Sequence, residues 1–347
     1  MLGLVRRRRG AGLGRGDAAM SARRLELLLL LALIAVAMVA VSLGESPLSL
    51  AQYHQALSDP GSPPGEVLWT IRLPRVAMAA LIGAGLGLAG AAMQGLLRNP
   101  LAEPGVLGVS ATAGLGASLA IAGGLAALPG AVEVSALAGA LLAGAVVIGL
   151  AARFREPEVL ILFGVALSAF AGALTALVFN LSPSPVATAE VLAWLMGSVE
   201  NRDLTDILCA LPPMAVGAGL CLYAAKGLRM LTLGEEAAQM SGLPMARLRV
   251  AAVAGSALLA GASVAAAGVI GFVGLAAPHL VRAAARDDPG RILRPSALAG
   301  ALLLVAADLA ARLIPTEQEL KLGVVTALFG APVFALLAWR AARSWRS

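Results

Sequence analysis

Long apolar runs, broken by short clusters of charge, glycine or proline, fill the chain from Leu27 to Trp339. A helix crossing the hydrocarbon of a bilayer needs about 20 such residues, and about ten runs approach that length. They read as spans at Leu27–Leu43 and Val76–Leu97, then from Pro104 to just before Gly123, Val134–Ala152 and Val159–Leu181. Five more follow at Ile207–Ala225, Val250–Ala267, a shorter piece from Phe272 onward, Pro295–Ala311 and Leu322–Trp339. Ser182-Pro183-Ser184-Pro185 stops the fifth, and a short amphipathic piece, Val186–Gly197, precedes the sixth. A transmembrane barrel would show alternating strands of about ten residues. The unbroken runs exclude it, and the expected class is an all-α integral membrane protein of about ten transmembrane helices.

Composition agrees. Of the 347 residues, 59% are hydrophobic and 13% are charged, against roughly 25% charged in a soluble domain. Such a chain cannot cover itself with a wet surface. The net charge of +6 would point to nucleic acid in a soluble protein, but its distribution points elsewhere. With the N-terminus in the cytoplasm and the spans alternating, all 26 basic residues except Arg72, Arg75, Arg202, Arg312 and Lys321 fall on the cytoplasmic side. The outside collects acids such as Glu45, Asp59, Glu66 and Glu133. That is the positive-inside pattern, with both termini cytoplasmic, and it leaves no reason to expect nucleic acid as a partner.

Residues 1–24 read as a cytoplasmic basic tail, disordered over 1–20, with Met20 as an alternative start. Residues 25–347 read as one transmembrane domain, with a cytoplasmic loop at 230–249. A basic stretch before an apolar run also describes a signal peptide. Here the run is long and Ser42-Leu43-Gly44 is a poor cleavage site, so the first span is expected to be retained.

Little points to catalysis. Cys209 and Cys221 share one apolar segment without a partner pattern for zinc or redox chemistry. There is no metal-ligand cluster, no nucleophile beside a base and no pair of facing acids. A phosphate-binding loop needs Gly-x4-Gly-Lys-Ser/Thr, and the lysines are followed by Gly227 and Leu322. This chain is therefore not a P-loop ATPase. The 40 glycines cluster inside the spans, as in Gly83-Ala84-Gly85-Leu86-Gly87, where small side chains let helices approach closely. Gly105-Val106-Leu107-Gly108-Val109 after the second span echoes Gly268-Val269-Ile270-Gly271-Phe272 after the seventh. The two sit on opposite sides of the membrane in this topology, as an inverted repeat of five plus five spans would place them.

Several motifs carry a resemblance. Arg72-Leu73-Pro74-Arg75 opens the second span, and Gln94-Gly95-Leu96-Leu97-Arg98-Asn99-Pro100-Leu101-Ala102-Glu103-Pro104 closes it. Leu233-Gly234-Glu235-Glu236-Ala237 precedes Gly242-Leu243-Pro244, and Gly271-Phe272-Val273-Gly274-Leu275 runs into Pro278-His279-Leu280-Val281-Arg282. Glu319-Leu320-Lys321-Leu322-Gly323-Val324-Val325-Thr326 leads to Gly330-Ala331-Pro332-Val333-Phe334. In this order they resemble the FecCD family of permeases for iron-siderophore, haem and cobalamin importers, from Leu27 onward. Lys321 departs from the pattern, where the family usually has proline.

The resemblance implies a type II ABC importer permease like that for cobalamin, in the bacterial inner membrane. It implies a homodimer with the path along its axis, two cytoplasmic ATPase subunits that bind the ATP, and a periplasmic binding protein. No cofactor is expected on this chain. By resemblance, loop 231–249 is the coupling element, through Leu233, Gly234, Glu235, Glu236 and Gly242; the plain alternative is a solvated connector. Asn99 and Leu101 become part of a cytoplasmic gate, and also suit a simple helix stop. Arg72, Arg75 and Arg312 break the charge trend at the outer side. They become pockets for carboxylates on the binding protein, or side chains that snorkel or pair locally, Arg312 with Asp308.

His279 is expected against a backbone carbonyl. Tyr53 and His54 lie in the first outer loop and are weak candidates for haem iron. A secondary transporter remains the rival function, opposed by Asp308 being the only acid well inside a span. Among cargoes haem is placed ahead of ferric siderophore and cobalamin, with no residue carrying that order.

Overall fold

The computed structural model describes residues 22–44, 47–154, 156–182, 184–282, 284, 288–316 and 319–344. The expected basic tail up to residue 21, Pro183 of the helix stop, and Glu45, Arg155, Arg286, Glu317 and Arg346 of the charge map lie outside these residues.

Helices account for nearly all of it, and no strand occurs among the described residues. In chain order α1 spans Ala22–Ser42, α2 Leu50–Ser58 and α3 Pro63–Leu97. Then α4 spans Val109–Ala122, α5 Ala131–Arg153, α6 Pro157–Leu181 and α7 Pro185–Leu195. The rest are α8 Leu204–Met230, α9 Glu235–Met240, α10 Met245–Ala267, α11 Val273–Arg282, α12 Leu293–Leu313 and α13 Leu322–Ser344. Each expected span has its helix: α1, α3, α4, α5, α6, α8, α10, α11, α12 and α13. Seven of these are long and apolar enough to cross a bilayer. Helix α4 and the apolar part of α13 are shorter, and α11 has 10 residues.

Local chemistry sets the ends. Pro157 and Pro185 occupy first-turn positions of α6 and α7, where a missing N–H costs nothing and the fixed φ suits a helix. Ser49 with Gln52, and Asp203 with Asp206, form reciprocal caps that start α2 and α8. Lys321 stands where a proline was expected. Its carbonyl accepts the amides of Val324 and Val325 at the start of α13, and its ammonium lies 3.2 Å from Glu200.

The two most buried spans are α3 and α10, and both are built of small residues. Gly83 and Gly300 meet backbone to backbone, so a β-carbon on either would collide with the other's carbonyl. Gly87 abuts Ser296 O, and Gly90 abuts Gly274 O, in the same way. With no hydrophobic drive between helices inside lipid, such contact is what holds spans together. Helix α1, by contrast, leaves most of its apolar surface uncovered.

Helix contacts reveal the repeat. The packing of α3 on α12 is matched by α10 on α5, and α4 on α5 by α11 on α12. Likewise α4 on α6 is matched by α11 on α13, and α4 on α10 by α11 on α3. Shifting each helix by five spans generates one set from the other, as an inverted repeat requires. The symmetry breaks at one place: α8 packs on α10, whereas α1 packs on α12 more than on α3.

Candidate functional site

Both halves of the sequence echo line one cavity of about 530 Å³, which Gly105 reaches from the first half and Val269, Ile270 and Gly271 from the second. They were expected on opposite membrane faces. Instead the segments turn inward and meet, because each precedes a short helix, α4 or α11, that begins within the bundle. Depth follows from α3: Gly274 packs against Leu86 O, and Leu86 lies eleven residues before Leu97, about 16 Å along the helix. The remaining wall comes from Ser168, Gly172, Thr175 and Phe179 of α6 and Leu195 of α7. Gly172 and Ala176 are exposed there, so the cavity opens along α6. An adjoining hollow of about 670 Å³ between α7 and α13 shares Leu195, Val269 and Gly271. The walls are mainly apolar.

Among the described residues, Glu103 is the one charged residue in this wall. In the sequence it stands only as part of a motif in the loop after the second span. The available signal was an acid between Ala102 and Pro104 with apolar residues on both sides. The chain turns back after α3, so a residue read as loop is carried to membrane depth.

The end of the bundle that the charge map assigns to the outside holds a buried ionic cluster. Arg75 of α3 bonds Asp308 of α12, Nη2 to Oδ1 at 2.8 Å and Nε to Oδ1 at 3.0 Å, and also pairs with Glu319. Arg312 reaches Asp308 Oδ2 at 3.1 Å and donates to Ala40 O and Leu43 O. Arg72 donates to Val41 O, Ser42 O and the Tyr53 hydroxyl. The structure thus brings Arg72, Arg75 and Arg312 together, but turned inward onto the chain's own acceptors. Tyr53 is tied down as well, donating to Ser42 O at 2.6 Å, while His54 lies beside Ser58.

At the opposite end, α3 stops where Arg98 adopts a left-handed conformation, φ 48°. The Asn99 side chain accepts the Leu101 amide at 2.9 Å, a local turn that fixes the reversal. His279 Nε2 lies 3.1 Å from Pro100 O, the expected carbonyl contact, and Arg282 donates to Gln94. Helix α11 is thereby fastened to the end of α3.

The expected reading of the loop after α8, two short helices at an angle, is corrected: it forms a single turn, Leu231–Leu233, and one short helix, α9, because Gly242 and Pro244 are followed directly by the long helix α10. Gly234 at φ 96° and Gly242 at φ 83° bracket α9, in conformations that side chains resist. Glu235 is an anchor: it lies 2.8 Å from Arg249 on α10, and Arg249 also donates to Ala151 O on α5. Glu236, Leu233 and Met240 are exposed. Of the two cysteines, Cys221 is buried against Gly255 and Cys209 is exposed.

Comparison with known proteins matches this architecture. An uncharacterized ABC transporter permease protein, YvrB of Bacillus subtilis (strain 168), is 39% identical over 81% of each chain. The vitamin B12 import system permease protein BtuC of Escherichia coli O157:H7 is 40% identical over 85% of this chain and 91% of its own. A solved structure of a protein assigned as a metal-chelate type ABC transporter, in an inward-facing conformation, superposes with a TM-score of 0.80 at 30% identity. It covers 92% of this chain and 99% of that one. The model of the FecCD transport family matches residues 29–340, and with these relatives it establishes that the chain is a multi-pass membrane permease belonging to the FecCD family.

Proposed function

We propose that this chain is the membrane subunit of an ATP-driven importer that carries a metal chelate or cobalamin into a bacterial cytoplasm. It works as a homodimer with two ATPase subunits and a periplasmic binding protein, in the inner membrane with both termini cytoplasmic. The observation that carries this reading is the mainly apolar cavity at the junction of the two repeats, open along α6. Alternating-access transporters place their paths at such junctions. A second copy facing α6 would close the cavity around a twofold axis.

The rival, transport driven by an ion gradient, needs an acid free to take up and release an ion. Asp308 is held by two arginines, which leaves it poorly suited. Glu103 is a further acid at depth, but one wall carboxylate in an ABC permease relative does not favour that rival. Among cargoes, the vitamin B12 importers among the relatives move cobalamin ahead of haem.

Three assignments accompany this reading. The exposed ridge of Leu233, Glu236 and Met240, braced by Gly234, Glu235 and Gly242, fits a groove on each ATPase. Asn99 and Leu101 narrow the cytoplasmic end of the path. The binding protein docks at the opposite end, where the cluster of Arg72, Arg75 and Arg312 shapes the surface, and its carboxylates would compete with Asp308 and Glu319 for these arginines. The complex reconstituted in liposomes with its ATPase and binding protein should take up cobalamin only with ATP. Uptake by the chain alone would overturn the reading.

A further inference from the structure

The two halves of the sequence echo begin their short helices differently. Position for position, Gly108 of the first matches Gly271 of the second, and Val109 matches Phe272. In the first half Gly108 is left-handed, φ 85°, and α4 starts directly after it. The Gly108 carbonyl accepts the Thr112 amide as the first helical bond. In the second half everything stands one position later. Phe272 is the left-handed residue, φ 66°, α11 starts at Val273, and the first helical bond runs from the Ala276 amide to Phe272 O. The Gly271 carbonyl accepts the Val273 amide instead, at 2.9 Å. Such a γ-turn, closed around a positive φ, is rare and strained, the more so around a bulky side chain.

Gly271 itself uses neither freedom that glycine offers. Its φ is not left-handed, and a β-carbon there would meet open space. The glycine stands beside the residue that carries the strain. Strain of this kind persists only while neighbours hold it, and the neighbour here is α13. Gly330 lies so close to Phe272 that a β-carbon on it would collide with the Phe272 side chain. Phe272 is thereby lodged in an apolar hollow of about 460 Å³ between α11, α12 and α13. Gly271, next to it, lines both the cavity at the repeat junction and the adjoining hollow. Helix α13 is tied at its start, where Gly323 donates to Met196 O at 3.1 Å, and Pro332 inside it gives a place to bend.

We propose that this turn has two settings and that transport moves between them: the left-handed conformation passes from Phe272 back to Gly271, and α11 gains Phe272 as its first residue. The second setting is the arrangement the first half already shows at Gly108 and Val109. The Gly271 carbonyl then accepts the Leu275 amide in place of the Val273 amide, and glycine carries the positive φ without strain. The change swings Phe272 off Gly330 and releases α13 at the wall of the path. Gly271 and Phe272 are positioning residues, acting through α13 on whatever passes. This rests on the importer reading above and adds a moving part to its path.

The test uses the complete importer in liposomes, with its ATPase and with the binding protein saturated by cyanocobalamin. Gly271→Ala fits the present setting, so its melting temperature should equal or exceed that of wild type. It resists the second setting, because a left-handed conformation disfavours a residue with a side chain by about tenfold, and uptake should fall about tenfold. Gly271→Asn is larger but tolerates left-handed backbone better, so it should transport faster than Gly271→Ala. Uptake falling in the order Gly, Asn, Ala reports backbone conformation. The order Gly, Ala, Asn reports only bulk in the path and overturns the inference. In a background without Cys209 and Cys221, spin labels at Leu280→Cys on α11 and Leu336→Cys on α13, both exposed, follow the helices. Their separation should change on ATP binding in wild type and far less in Gly271→Ala. A separation that stays fixed in wild type, or wild-type uptake by Gly271→Ala, overturns the inference and leaves the importer reading standing. Wild type without ATP-dependent uptake overturns both.

Discussion

Arg75 and Asp308, 233 positions apart, join α3 to α12 through a buried pair of hydrogen bonds at one end of the bundle. Asp308 also holds Arg312 one helical turn away and Glu319 is the second acid on Arg75, so the charges are matched where little solvent reaches. Burying such groups is favourable only while each keeps its partner.

Asp308→Ala should therefore destabilise the protein more than most core truncations. It leaves Arg312 without a carboxylate and Arg75 with Glu319 alone, and breaking a buried pair costs about 3–5 kcal/mol. Thermal unfolding in detergent should show a large drop in melting temperature. Asp308→Ala combined with Arg312→Leu should recover part of it, since Arg312 has no other carboxylate partner among the described residues; no recovery would show that the pair matters only singly.

Gly83 tests the close approach of α3 and α12. Gly83→Val drives a side chain into the Gly300 carbonyl, and overpacking of this kind costs about 1–3 kcal/mol or more. Gly149→Ala, with open space around it, should be neutral. Equal melting temperatures for the two variants would refute the packing argument.

The coupling loop separates two acids that are adjacent in sequence. Glu236→Arg changes an exposed charge and should abolish co-purification of the ATPase at unchanged melting temperature. Glu235→Ala removes the partner of Arg249. Its first effect should be local, seen as faster hydrogen exchange across 231–249. Normal ATPase capture by Glu236→Arg would move the contact elsewhere.

At the end of α3, Leu101→Cys should react with a membrane-impermeant thiol reagent applied from the cytoplasmic side. The rate should change between nucleotide-free and ATP-bound importer. Labelling only from the opposite side would contradict both the gate and the orientation.

Much of this protein was determined by sequence alone. Hydrophobic run length reports the cost of exposing backbone and charge to lipid, a local quantity summed along the chain, and so the ten helices were legible. Gly242 and Pro244 mark the break within the loop at 230–249, because the chemistry that stops a helix belongs to single residues. The Asp308–Arg312 pair was visible because one helical turn separates its members. Contacts between distant segments were not written there in the same way. Arg72 and Arg75 read as charges facing outward, yet the approach of α1, α2 and α12 supplies Ser42, Tyr53 and Asp308 to receive them. Glu103 read as part of a loop, yet the chain's return after Leu97 carries it into a cavity shared by both repeats. Only tertiary structure decides whether a charge faces water, a partner or a cavity, because that depends on which helices close around it, and their closing is governed by glycines whose partners lie more than two hundred residues away, as Gly300 does from Gly83.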